Sequence, residues 1–322
     1  MTGTLASPVA ASARCDQILA EVERVIVGKR EAVTLVLLGI LASGHILIED
    51  LPGLGKTLLA RSFASALGLE FTRVQFTPDM LPADLTGAPV LDPQTGDVTF
   101  RPGPLFTNLL LGDEINRTPP KTQAALLEAM AENQVSVDGQ THPLPQPFIV
   151  LATDNPIEYE GTYPLPEAEL DRFTARIRLG YLDELGEAEM ARRRLARGSQ
   201  PIQLTQVTDA AALLAMRESL EQVHLDDDLL AYIVRLVAAT RTHPQVSVGA
   251  SPRGTLAVIQ LARGAAVLAA RDFVTPEDVK LVAVTALAHR LVLRPEMWVR
   301  KVTGEDVVGE ILTSQPVPRA ST

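Results

Sequence analysis

The string Asp50-Leu51-Pro52-Gly53-Leu54-Gly55-Lys56-Thr57 constrains this chain more than any other feature, because of what flanks it. Before it runs an apolar segment, residues 45–49; after it, Leu59, Phe63, Ala66 and Leu67 repeat at helical spacing across residues 57–67. An apolar run, a glycine-rich turn and an amphipathic helix make a βα unit, and such units assemble around a parallel sheet. Further runs at 71–76, 105–113, 148–153 and 174–179 are short and mostly apolar, as strands covered on both faces should be. Residues 14–180 therefore read as one α/β domain.

The turn itself suits a phosphate. Several backbone N–H groups must meet such a ligand at once, which requires a loop of little bulk leading directly into a helix N-terminus. Gly53 and Gly55 permit the close approach within Pro52-Gly53-Leu54-Gly55, and Lys56 adds a charge for the β- and γ-phosphates. The Thr57 hydroxyl is suited to Mg²⁺, and Leu58 completes the first helical residues beside the nucleotide. The usual pattern opens on glycine where this chain has Asp50, which leaves the path into the loop open. A second carboxylate site fits the apolar run that ends in Asp113-Glu114. Asp113 suits the metal, directly or through water, and Glu114 suits activation of the attacking water.

Beyond Tyr181 the strand signals give way to helix starts: Thr208 before Asp209, Asp226 before Asp227, Ser251 before Pro252 and Thr275 before Pro276. This predicts a linker over 181–204, a helical domain over 205–313 and a tail over 314–322. Leu229, Ile233, Leu236 and Val237 read as plain bundle core. Two hairpins interrupt the first domain, at 89–101 around Pro93-Gln94-Thr95-Gly96 and at 135–142 around Asp138-Gly139. Residues 1–13 lack a basic start and a sustained apolar stretch, so they read as a disordered tail and not as a signal peptide.

Composition narrows the function. A net charge of −10 weighs against nucleic-acid binding, which rests on basic patches, and one Trp with four Tyr offers few rings for stacking on bases. The apolar stretch 35–48 is broken by Gly39, Ser43, Gly44 and His45, too early for a membrane span. A single cysteine, Cys15, excludes an intramolecular disulfide and suits a cytoplasmic protein, with intermolecular pairing left open. The five histidines are scattered without ligand spacing, against a metal enzyme that dispenses with ATP.

The chain resembles the AAA+ superfamily and, within it, the MoxR family. The resemblance rests on Val74-Gln75-Phe76-Thr77-Pro78-Asp79, Pro102-Gly103-Pro104-Leu105-Phe106, Asp113-Glu114-Ile115-Asn116-Arg117, Pro119-Pro120-Lys121-Thr122-Gln123 and the segment Glu160-Gly161-Thr162-Tyr163-Pro164-Leu165-Pro166-Glu167-Ala168, in that order. It implies an AAA+ P-loop NTPase core, a parallel sheet flanked by helices with two β-hairpin insertions, followed by an all-α lid. One hairpin interrupts the second helix and the other precedes sensor 1; lining a pore, contacting a client and merely shaping the ring are alternatives for them.

The same resemblance implies residue roles. Asn155 matches sensor 1, where a neutral amide holds the water or the γ-phosphate; its alternative is an Asn-Pro turn. Arg172 matches an arginine finger reaching a neighbouring subunit's ATP, against a plain salt bridge with Asp171 or Glu169; Arg176 is the next residue to test. Arg253 matches sensor 2, touching phosphate from within its own subunit, against an ordinary exposed arginine. Val27 and Gly28 match the adenine-facing segment, against a helix cap, and Gln75 is a candidate modulator of Glu114.

The implied activity is ATP hydrolysis with Mg²⁺ in a homo-oligomeric ring of six, acting on a protein client or complex, with partners carrying von Willebrand factor A domains. Two other classes compete. A nucleotide-gated scaffold with negligible turnover has no use for Glu114 as a base. A DNA-directed AAA+ motor is opposed by the acidic charge and by the absence of a Gly-Ala-Phe-Thr-Gly-Ala loop.

Overall fold

A computed structural model describes residues 8–94, 96–156, 162–200 and 202–318. Helices α1 (Pro8–Glu23) and α2 (Arg30–Leu41) lead into β1 (Ile46–Glu49), the glycine turn and α3 (Lys56–Leu67). There follow β2 (Phe71–Gln75), α4 (Pro82–Thr86), the hairpin β3 (Gly87–Leu91) with β4 (Val98–Pro102), and β5 (Leu109–Asp113). Then come α5 (Pro120–Glu132), the hairpin β6 (Gln134–Val137) with β7 (Gln140–Pro143), β8 (Ile149–Asp154), α6 (Glu167–Leu170) and β9 (Ala175–Ile177). The remainder is α7 (Glu184–Arg197), α8 (Ala210–Leu220), α9 (Asp227–Thr242), β10 (Val246–Val248), α10 (Pro252–Leu268), α11 (Pro276–Leu287), β11 (Val292–Leu293), α12 (Glu296–Val299) and α13 (Gly304–Ser314).

The five parallel strands run in the order β2-β5-β8-β1-β9. Their carboxyl ends share one edge: Glu49 lies opposite Asp154, and Gln75 opposite Asp113. The inner strands β1, β5 and β8 are apolar on both faces because helices cover both, whereas the edge strand β2 carries Arg73 and Gln75 on an exposed face. Ile46, Ile48, Leu109 and Leu111 belong to the larger core with α1, α2 and α3, whereas Leu47, Leu110 and Val150 pack on the side of α5. The larger core continues without a break into the lid, where α10 packs on α1 and α2.

Several expectations shift. Residues 8–13 of the expected tail belong to α1, which buries Ala11, Ser12 and Cys15; residues 1–7 lie outside the described residues. Cys15 is fully buried, with its thiol pushed up to about 12 by desolvation. The run 105–113 forms strand only from Leu109; Leu105 and Phe106 lie in the preceding loop, with Leu105 buried there. The expected linker contains α7, which begins at Asp183 with a capping bond to Gly186 N (2.8 Å) and buries none of its residues. Asp209, not Thr208, caps α8, while Asp226, Ser251 and Thr275 cap α9, α10 and α11. The lid also carries a small antiparallel pair, β10 with β11.

Both hairpins form, and Asp138 and Gly139 take the positive φ values (51° and 77°) that their two-residue turn needs. Thr95 of the other turn lies outside the described residues, as do Glu160 and Gly161. Phe100 of β4 stacks on His142 of β7, ring centroids 3.9 Å apart, so the hairpins are joined through their stems. Among the described residues, no helix is long and apolar enough to cross a membrane.

His45 locks the start of the sheet. Its Nε2 donates to Met130 O (3.0 Å) and its Nδ1 accepts from Val150 N (3.0 Å), so the neutral ring ties β1 to α5 and β8. Burial lowers its pKa from 6.5 to about 4. The unfolded chain therefore holds the extra proton between those values. Stability from this group is complete above pH 6.5 and is lost as the pH falls toward 4, by roughly 3 kcal/mol. His289, also lowered by burial, adds to the same trend. Urea midpoints should drop from pH 7.5 to pH 5, and His45→Gln, which keeps a donor and an acceptor but does not titrate, should show a shallower drop.

Candidate functional site

The glycine turn leaves β1 at the carboxyl edge of the sheet and enters α3 at Lys56. Gly53 and Gly55 hold φ of 84° and 88°, a region that disfavours side chains, and a Cβ on either would meet nothing within 4 Å. Conformation, not crowding, demands glycine here, and the space over the loop is open. Pro52 and Gly53 are exposed, Leu54 and Thr57 half-buried.

Asp50 turns out to be structural. Its carboxylate accepts from Leu51 N (3.0 Å), Leu179 N (2.5 Å) and Gly180 N (2.7 Å), so it fastens the loop to the chain leaving β9. Its carbonyl accepts from Lys56 Nζ (2.6 Å). Desolvation holds the Lys56 ammonium below its ordinary pKa, opposed by the charges of Asp113, Asp50, Glu114 and Asp154.

Asp113 and Glu114 stand at the end of β5 as expected. Asp113 Oδ1 accepts from Thr153 Oγ1 (2.7 Å) and Oδ2 from Arg73 Nη2 (2.7 Å), while Glu114 N donates to Thr153 Oγ1 (2.8 Å). Glu114 has φ 58° and ψ 55°, a strained left-handed conformation for a residue with a side chain, at the point where its carboxylate must turn. Gln75 Nε2 donates to Glu114 Oε2 (2.7 Å), and Arg117 Nε lies 3.0 Å from the same oxygen. The suspected contact of Gln75 is therefore made. Asn155 is buried (3% exposed) just past β8, on the same edge.

The donor set suits magnesium. Thr57 at the start of α3 and Asp113 at the end of β5 offer hard oxygens. Mg²⁺ commonly binds in this manner, through one or two protein oxygens plus phosphates and water.

Arg172 and Arg253 lie elsewhere. Together with Asp171, Thr174 and Ala42 they line a cavity of about 310 Å³ beside the amino ends of β1 and β9. The four residues of β1, about 13 Å of extended chain, separate that edge from the glycine turn. Arg172 Nη1 donates to Leu127 O (3.0 Å), and the salt bridge considered with Asp171 is pre-empted, since Asp171 pairs with Arg290 (2.8 Å) and accepts from Ser251 Oγ (2.8 Å). Arg176 bridges Glu49 (3.3 Å) and Glu305 (2.8 Å).

On the third side of the P-loop, Val27 and Leu58 share a cavity of about 520 Å³ with Met190, Ile202 and Leu204, an apolar recess ringed by arginines. Gly28 faces Leu182: a Cβ would stand 2.9 Å from Leu182 Cδ2, and φ is +68°.

The sequence matches the family described as "ATPase family associated with various cellular activities (AAA)" over residues 45–175 and the "AAA lid domain" over residues 238–311. It is 40% identical over 315 residues to Chaperone MoxR1 of Mycobacterium tuberculosis, covering 95% of this chain and 83% of that one. The chain belongs to the MoxR family of AAA+ ATPases. A second relative, the YeaC protein of Bacillus subtilis, is 46% identical over 298 residues, 92% of each chain. A crystal structure of a candidate ATPase from Cytophaga hutchinsonii superposes with a TM-score of 0.90 at 38% identity, over 97% of each chain.

The sensor 2 match implies that Arg253 touches phosphate in its own subunit; the structure places it beside Arg172, at the sheet edge opposite Lys56. The lid helix α10 starts where Ser251 bonds Asp171, and that anchor carries Arg253 to the far edge. Sequence reasoning also passed over Arg73, Arg117, Thr153 and Asp154. Thr153 and Asp154 were visible as the polar end of an apolar run; Arg73 gave no signal until β2 lay beside β5. The Asp154 carboxyl, raised by burial and by the charge of Glu49, has a buried oxygen without a hydrogen-bond partner.

Proposed function

We propose that this MoxR-family chain binds ATP with Mg²⁺ at the P-loop and hydrolyses it as one subunit of a hexameric ring, using the cycle to remodel a protein client. The observation that carries this reading is the separation of two half-sites. Lys56, Thr57, Asp113, Glu114 and Asn155 gather at the carboxyl edge of the sheet, while Arg172 and Arg253 gather at the amino edge. Arginines that cannot reach their own P-loop are suited to a neighbour's, and a repeated head-to-tail contact of that kind closes into a ring.

In this reading main-chain amides of residues 53–57 cradle the phosphates, and Lys56 Nζ leaves Asp50 O to meet them. Thr57 and Asp113 would hold Mg²⁺, which when bound neutralises charge on the phosphate oxygens. Glu114 takes a proton from water as its oxygen bonds the γ-phosphorus, and the bond to the β–γ bridging oxygen breaks to release ADP. Asn155 orients the water. A neighbour's Arg172 and Arg253 meet the charge that spreads over the transferring group. Val27, Gly28 and Leu58 receive the adenine side of the nucleotide.

The relative named as a chaperone supports a protein client, and the family resemblance supports a von Willebrand factor A domain partner in the cytoplasm. The scaffold alternative draws on one observation: Gln75 and Arg117 both occupy Glu114. Calorimetry and turnover separate the readings. Wild type should give heat with ATP and Mg²⁺ and a specific activity that climbs with protein concentration, and Lys56→Ala should give neither. Binding with no turnover at any concentration favours the scaffold; no binding ends both.

A further inference from the structure

One guanidinium touches both the candidate metal carboxylate and the amide that contacts the candidate base. Arg73 and Gln75 are two residues apart on the edge strand β2, so their side chains share a face, and Gln75 lies opposite Asp113 in the parallel register. Arg73 donates to Asp113 Oδ2 from Nη2 (2.7 Å) and from Nε (3.2 Å), and Nη2 also donates to Gln75 Oε1 (3.0 Å). An amide has one acceptor end and one donor end. With Oε1 held by Arg73, the Nε2 end must face the other way, and it donates to Glu114 Oε2 (2.7 Å). The chain Asp113–Arg73–Gln75–Glu114 thus joins the candidate metal carboxylate to the candidate base.

We propose that Arg73 is a positioning residue that couples metal arrival to release of Glu114 from Gln75: a cation at Asp113 competes with Arg73, and withdrawal of Arg73 removes the donor that turns Gln75 onto Glu114, while Arg117 keeps its own contact with Glu114. The inference rests on the assignment of Asp113 and Glu114 made above. Its physical basis is competition between like charges for one carboxylate. Arg73 fills Asp113 Oδ2 with two hydrogen bonds, and its positive charge opposes a cation at either oxygen of this carboxylate. Arg73 keeps 45% of its side-chain surface exposed, so its pairing is weak enough to be displaced and gives the guanidinium solvent to withdraw into.

The test is the Mg²⁺ dependence of binding of a fluorescent ADP analogue, read at equilibrium without turnover. Arg73→Ala should lower the Mg²⁺ concentration at half-saturation by about two- to fivefold, the worth of an exposed ion pair. Arg73→Lys, which keeps the charge but loses the fork, should stay near the wild-type requirement. Turnover supplies the second readout: Arg73→Ala and Gln75→Ala should each raise the rate of dilute protein, and the double variant should exceed neither. An unchanged or higher Mg²⁺ requirement in Arg73→Ala overturns the proposal, and additive rates overturn the relay to Glu114. Wild type that binds nucleotide without any Mg²⁺ dependence instead overturns the metal assignment of Asp113.

Discussion

Glu114→Gln should hydrolyse ATP roughly two to four orders of magnitude more slowly than wild type while binding it at least as well, the loss expected for a removed general base. The substitution is nearly isosteric, so the left-handed turn at Glu114 and the bond from its N–H to Thr153 Oγ1 are retained. What disappears is the anion that accepts the proton. The resting contact with Gln75 becomes amide to amide, and the pairing with Arg117 loses its charge, so the side chain is held less firmly without gaining basicity. Single-turnover chemistry and nucleotide affinity, measured on the same preparation, separate the two effects. Wild-type turnover in Glu114→Gln would remove Glu114 from the mechanism.

Arg172→Ala should lose on the order of three decades of turnover, comparable to removal of an arginine finger, with unimpaired nucleotide affinity in isolated subunits. The geometry makes a sharper forecast than the loss itself. Arg172 belongs to the edge of the sheet that its own P-loop does not occupy, so its defect belongs to the neighbouring site. Equal mixing of Arg172→Ala and Glu114→Gln subunits, each inactive alone, should restore activity wherever an intact Glu114 meets an intact Arg172. With random assembly that is one half of subunits times one half of neighbours, roughly a quarter of the wild-type rate. Arg253→Ala should be rescued by Glu114→Gln in the same way. If Arg253 served its own subunit, mixing would rescue Arg172→Ala alone.

The parts of this site legible in the sequence are those whose chemistry is local. Gly53, Gly55, Lys56 and Thr57 act through consecutive backbone, and the apolar run ending at Asp113-Glu114 announces a buried strand with charge at its mouth. What stayed hidden depends on pairing at a distance. Asp50 looked like a flaw in the loop until the fold brought Leu179 and Gly180, 129 and 130 positions away, to its carboxylate. The place of Arg253 was hidden because the segment Ser251-Pro252-Arg253 specifies a helix start but not where that start is anchored; Asp171 decides that.

Local pattern also misleads where burial and secondary structure part company. Leu105 is as apolar as Leu109 and as buried, yet it fills a loop, so the strand is four residues shorter than the run that announces it. Helix α7 errs in the opposite direction. It has no buried stripe, and its stability comes from the Asp183 cap and ion pairs such as Glu189 with Arg193 (2.8 Å), which hydrophobic periodicity does not register.

Asp50 also fixes where motion between the halves of the protein can begin. Its carboxylate grips two successive amides at the exit from β9, so the strap toward α7 is nailed down through Gly180, whose φ of +64° already bends the chain away. A swing of α7 against the nucleotide loop must therefore pivot beyond residue 180, and any tug arriving along the strap is delivered to the backbone of the loop that holds Lys56.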